Sequence, residues 1–179
     1  MRTERIAVKD AEGNMQEREF VIEKTKLLSL EEFEMYRDNI PELNTMWWLR
    51  TSAGKHAAVC IATDNVDVHH ADIECAIRPA LQLSGLSDCK IGDNFEFKGH
   101  TWTVISDDCA LCDEAIGRHP FRRDWRAADS NAYEVSDVKK YIEDWYNELE
   151  CHYNKENGLI ETEEIPAELE NDDYDDREL

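Results

Sequence analysis

The chain has 179 residues, 41% of them hydrophobic, and a formal net charge of -21. That length suits one domain or two small ones of about 100 residues each, with apolar content enough for a core. The charge disfavours direct DNA or RNA binding, since nucleic acid is gripped by Lys and Arg that neutralise phosphates. It favours a basic partner, solubility alone being the bland alternative. Residues 156–179 hold seven Glu, four Asp and one Arg, a net -10. This acidic tail lacks the apolar content to offset ordering entropy and is expected to be disordered. Met1-Arg2-Thr3-Glu4-Arg5 has no apolar signal-peptide core, and no apolar run approaches the roughly 18 residues of a membrane span. We expect a cytoplasmic protein with no membrane partner, its six cysteines being thiols or metal ligands rather than disulfides.

In chain order, Arg5 to Val8 and Arg18 to Ile22 are expected strands, with turn chemistry at Glu12-Gly13-Asn14 between them. A helix follows. Ser29 is its N-cap and Glu32 stands three residues on, a capping-box pattern, while Leu28 and Phe33 are spaced for a hydrophobic staple. Pro41 ends this region. Trp47 to Thr51 is a strand whose adjacent tryptophans point to opposite faces, so one enters a core and the other packs under a helix or loop. Each ring buries roughly 200 Å², enough for the pair to dominate a small core. Ala57 to Ile61, Val66 to His70 and Ala76 to Leu83 complete a small antiparallel meander. Pro79 inside the last run argues for an edge or a bulge.

Gly85 to Asp88 is the expected boundary, giving units 1–86 and 87–155 on the same or adjacent cores, then the tail. Asn94 to Phe97 and Thr101 to Ile105 form a hairpin through Lys98-Gly99-His100. Cys109 to Cys112 is a short strand or turn, and Glu114 to Ala128 is irregular. Ser136 caps a second helix with Val138, Tyr141, Ile142, Trp145 and Leu149 on one face. The fold class is therefore α+β: small antiparallel sheets with two main helices in a compact mixed domain.

Trp47-Trp48-Leu49-Arg50-Thr51, Ala57-Ala58-Val59 and Ile77-Arg78-Pro79-Ala80-Leu81 together resemble a domain family of unknown function common in Firmicutes and their prophages. The family pattern runs Trp-Trp-Leu-Arg-Ser, a meander, then Gly-Val-Arg-Pro-Ala-Leu. Gly92 to Trp102 also resembles a family segment, one that usually precedes the Trp-Trp unit and here follows it. Thr51 stands for the family serine and Ala76 for the glycine. The resemblance covers about residues 27 to 150. It implies a compact C-type-lectin-like domain that displays loops for recognition, and a phage or mobile-element product acting in a bacterial host cell.

Cys109-Ala110-Leu111-Cys112 followed by His119 is the candidate metal site. Two thiolates spaced C-x2-C and a nearby imidazole suit zinc, with Cys89, His100, Cys151 or His152 as a fourth ligand. The alternative is that Cys109 and Cys112 are small hydrophobes of a strand. His69-His70 with Cys60 and Cys75 is a weaker cluster, because adjacent strand residues face opposite ways. No nucleophile has a visible base, orienter and oxyanion hole, and no phosphate loop is present, so no enzyme is expected. Arg118, Arg122, Arg123 and Arg126, interleaved with Phe121 and Trp125, are expected to pair with the acidic body rather than with RNA. Arg50 and Arg78 are expected to hold carboxylates or carbonyls at a sheet edge.

Three functions follow as expectations. The first is a non-enzymatic anti-CRISPR inhibitor that binds the basic nucleic-acid channel of a type II RNA-guided nuclease. The second is a recognition module that reads a glycan or small ligand through Ser52 to His56 and Asp64 to Asn65. A structural or regulatory protein without mimicry is the third.

Overall fold

The computed structural model describes residues 2–86, 88–127 and 131–156, with side chains of the last helix as far as Asn147. The acidic tail beyond Glu156 lies outside them. The chain divides into two units, Met1–Glu143 and Asp144–Leu179, and the architecture below belongs to the first. In order the elements are β1 (Arg2–Lys9), β2 (Met15–Lys26), α1 (Leu30–Tyr36), β3 (Trp47–Ala53), β4 (Ala57–Ala62), β5 (Asn65–His70), β6 (Glu74–Ile77) and β7 (Ala80–Ser84). Then follow β8 (Asn94–Phe97), β9 (His100–Ser106), β10 (Cys109–Cys112), β11 (Gly117–Pro120) and α2 (Asp137–Glu156), which runs on into the second unit. Two helices on a sheet-rich body agree with the α+β class. Among the described residues no helix is long and apolar enough to cross a membrane.

Six strands close into a barrel in the order β1-β2-β7-β10-β9-β8. All six contribute buried residues at i and i+2: Ile6 and Val8, Phe20 and Ile22, Leu81 and Leu83, Phe95 and Phe97, Trp102 and Val104, Ala110 and Cys112. That spacing puts each pair on one face of its strand, and a small barrel is filled by such side chains. Phe20 meets Phe95 at 5.4 Å between ring centres, and Trp102 Nε1 donates to the Phe97 carbonyl at 2.8 Å. Gly85, Leu86 and Asp88 lie inside the first unit, between barrel strands β7 and β8.

The second sheet has the order β11-β6-β3-β4-β5. Its two faces carry the two tryptophans, as alternation requires. Trp47 packs edge-on to Phe33 of α1 at 6.0 Å, in a cluster with Leu28, Leu49, Ile61 and the barrel residues Ile105, Cys109 and Leu111. Trp48 packs edge-on to Phe121 at 5.3 Å, in a cluster with Cys60, Cys75, Val138 and Ile142. The first cluster is thus shared between sheet and barrel.

The continuous strand expected over Ala76 to Leu83 is broken. β6 belongs to the sheet, β7 to the barrel, and Arg78-Pro79 carries the chain across. The meander therefore ends at β5, and β6 instead runs parallel to β3 at Trp47–Ala76. The region expected to be irregular contains β11, which pairs with β6 from Gly117↔Ile77 to Pro120↔Glu74. Neither sheet edge nor barrel wall can be told from a continuous apolar run, since both faces are buried in each.

Candidate functional site

The helix start is built as the capping pattern dictates. The Glu32 amide donates to Ser29 Oγ at 3.0 Å, and the Ser29 amide donates to Glu32 Oε1 at 2.9 Å. Glu32 also receives Lys26 Nζ at 2.8 Å and Arg50 Nη1 at 2.9 Å. Burial pushes this carboxyl up, but the Lys26 hydrogen bond, the Ser29 amide and the two cationic charges outweigh it and hold the group at about 2. Thr51 Oγ1 accepts from the Leu30 amide at 2.8 Å, closing a further helix donor.

The outward side of α1 is a row of carboxylates. Glu31, Glu34 and Asp38 are exposed, at i, i+3 and i+7, which align them on one flank of the helix and its following turn. None of the three has a cationic partner among the described residues, whereas the arginines nearby are occupied. Arg50 holds Glu32 and the Leu27 carbonyl; Arg37 holds the Asp64 carbonyl and lies over Phe33 at 5.1 Å.

Three arginines of the basic cluster have the following partners. Arg118 donates to Thr45 Oγ1 at 2.9 Å and to the Glu74 carbonyl at 3.1 Å. Arg123 Nη2 meets His119 Nε2 at 3.1 Å, and Arg126 stacks over Trp125 at 4.5 Å. The Arg123 backbone amide donates to Asp137 Oδ2 at 2.6 Å.

Cys109, Cys112 and His119 are not brought together. Cys109 and Leu111 face the shared core. Cys112 is three residues on, so it points to the other side of the barrel wall, opposite Trp102. His119 stands on β11 in the other sheet, against Tyr141 at 5.8 Å and Pro120. Burial pushes both thiols up to about 12. Among the described residues no three His, Cys, Asp or Glu side chains are placed to hold one metal ion. Of the other ligands considered, His100 pairs with Glu114 at 2.5 Å, and Cys151 and His152 lie outside the described side chains.

His69 and His70 diverge as alternation predicts. His69 Nε2 meets Met46 Sδ at 3.0 Å, whereas His70 Nδ1 meets Asp72 at 2.7 Å and its ring packs edge-on to Trp125 at 4.7 Å. Cys60 and Cys75 are fully buried in one cluster, where the hydrogen bond between their thiols, with burial, pushes Cys60 up. In the loop expected to read ligands, Gly54 is bridged by Asn131 Nδ2, which donates to its carbonyl at 2.9 Å.

Arg78 is fully buried. It does hold carbonyls, but at the crossing between the two sheets rather than at an edge. Nε donates to Cys112 O at 2.7 Å and Nη2 to Pro41 O at 2.7 Å. Beyond its arginine-in-an-apolar-run signature, nothing in the sequence marks the space beside it. Set against protein-family models, curated proteins and solved structures, the chain matches none.

Proposed function

We propose that this protein is a non-enzymatic inhibitor, the product of a phage or other mobile element, that binds the basic nucleic-acid channel of a bacterial defence nuclease. The unpaired row Glu31, Glu34 and Asp38 supports the reading. It sets three charges about 5 Å apart along the helix and its following turn, a like-signed row somewhat wider than the 3.4 Å spacing of a nucleic-acid strand. With a net charge of -21, such a surface is drawn to a positively charged channel by long-range attraction that salt weakens. A type II RNA-guided effector holds its nucleic acid in such a channel, and the prophage-type resemblance makes it the first target to test.

The test is cleavage of target DNA by a purified type II effector titrated with the full chain. Near-stoichiometric loss of cleavage is expected, weakened about tenfold or more by Glu31→Gln, Glu34→Gln and Asp38→Asn together and by raised salt. Unchanged cleavage at large excess removes this target class. Inhibition that is indifferent to salt and to the triple substitution removes the mimicry.

A further inference from the structure

The barrel is closed, but the second sheet has two edges, and they differ. One edge is β11, which carries Arg118 and ends in Pro120. A charge and a proline are the devices by which natural edge strands are blunted. The other edge is β5, which has no Lys, Arg or Pro. It pairs with β4 over all six residues, from Ala57↔His70 to Ala62↔Asn65, with no bulge. Among the described residues no other strand pairs with it.

The turn fixes which backbone groups of β5 face outward. Ala62 and Asn65 flank the two-residue turn Thr63-Asp64, so they form a hydrogen-bonded pair. Alternation then makes Cys60↔Asp67 and Ala58↔His69 bonded pairs as well, and the Ala71 amide continues the series by donating to the His56 carbonyl at 2.8 Å. The amides and carbonyls of Val66 and Val68 therefore point away from β4. In agreement, the Val68 amide donates to Asp67 Oδ1 at 2.8 Å. The side chains of Val66 and Val68 are 39% and 49% exposed. Asp67 lies on the opposite face of the strand, with its side chain 53% exposed.

An unpaired edge is a template for a further strand, and charge selects which one. A second copy brings another -21, and residues 156–179 of this chain carry -10, so both are repelled. A basic segment is attracted.

We propose that β5 docks an extended basic peptide segment of a partner protein as a sixth strand of this sheet. Its backbone pairs with Val66 and Val68. Apolar side chains on one face pack on the two valines, and Lys or Arg on the other face meets Asp67, with Asp64 at the end of the strand. His69, 3.6 Å from Asp67, shares that face. On docking, the Val68 amide passes from Asp67 to a carbonyl of the incoming strand, which releases the carboxylate to the cation. This edge is separate from the carboxylate row of α1, and its test uses no nuclease.

Fluorescence anisotropy with a labelled Lys-Val-Lys-Val-Lys-Val-Lys peptide, titrated with the full chain, tests it. Saturable binding with a Kd below about 1 mM is expected. Two N-methylated forms, one blocking the valine amides and one the lysine amides, differ: only one loses binding, because successive amides of a strand point to opposite edges. The Glu-Val peptide of the same pattern binds at least about tenfold more weakly. Val68→Pro removes an outward amide where an edge tolerates proline, and weakens binding about tenfold. Asp64→Asn with Asp67→Asn, both on the surface, weakens it several-fold and serves if the proline variant does not fold. The proposal is overturned if no binding occurs at about 1 mM, if the two methylated forms or the Lys-Val and Glu-Val peptides bind alike, or if the double variant leaves affinity unchanged. It is also overturned if the chain is a dimer that Val68→Pro dissociates, which gives the edge to a second copy.

Discussion

Glu32 joins three parts of the fold, and replacing it with Gln tests the joint. The substitution keeps a side chain that can still close the capping box, but removes the charge shared by Lys26 and Arg50. Lys26 is 8% exposed, so it loses its ionic partner in a poorly solvated place, keeping only Gln82 Oε1 at 2.7 Å. A carboxyl held at about 2, against an ordinary 4.5, corresponds to roughly 3 kcal/mol by linkage. The side chain is 23% exposed, so solvent screening brings the expected loss at pH 7 to about 2 kcal/mol. The folded value is depressed, so the contribution is complete above the unfolded pKa and fades as pH falls towards 2. Less than about half remains at pH 3. Urea unfolding of wild type and Glu32→Gln at pH 7 and pH 3 reads this directly. The gap between the two proteins shrinks on acidification. A gap that is equal at both pH values, or under about 0.5 kcal/mol at pH 7, refutes the reasoning.

Two further outcomes follow from backbone and burial. Gly85 has φ +93°, and a Cβ there would stand 2.8 Å from the Glu19 carbonyl oxygen. Gly85→Ala is expected to cost about 2–3 kcal/mol in urea unfolding, whereas Gly54→Ala, at φ +63° in open space, costs only about 1 kcal/mol. Equal costs would show that the β2 contact is not there. Among Cys60, Cys75, Cys89, Cys109 and Cys112, only Cys89 is not fully buried. Alkylation of the native protein at pH 8, followed by peptide mass spectrometry, is expected to mark Cys89 first and to spare Cys109 and Cys112. Ready labelling of Cys112, or stoichiometric zinc that is lost in Cys112→Ser, contradicts the placement of β10 in the barrel wall.

Local chemistry was legible where it acts between near neighbours. The capping box at Ser29 and Glu32 needs only four consecutive residues, and it formed as the pattern dictates. The staple of Leu28 and Phe33 placed both in the core beside Trp47. The hairpin over Asn94 to Ser106 follows from turn chemistry at Lys98-Gly99. The opposite facing of Trp47 and Trp48, and of His69 and His70, follows from a period of two. The same period applied to Cys109 and Cys112 parts them as well, because a spacing of three on a strand puts side chains on opposite faces. Ligand spacing suggested a metal site there; the extended backbone turns the two thiols to opposite faces.

What the amino-acid sequence determined by itself is therefore its set of short-range instructions: caps, tight turns, strand alternation, the helical face of Val138 and Ile142, and the acidic balance. The tertiary structure alone decided how those pieces close. Barrel closure joins Val8 to Phe95, and β11 finds β6 across some forty residues. An apolar run buried on both faces is equally at home in a sheet or a barrel wall, so only the packing could divide it at Arg78-Pro79. That division buries Arg78 among carbonyls.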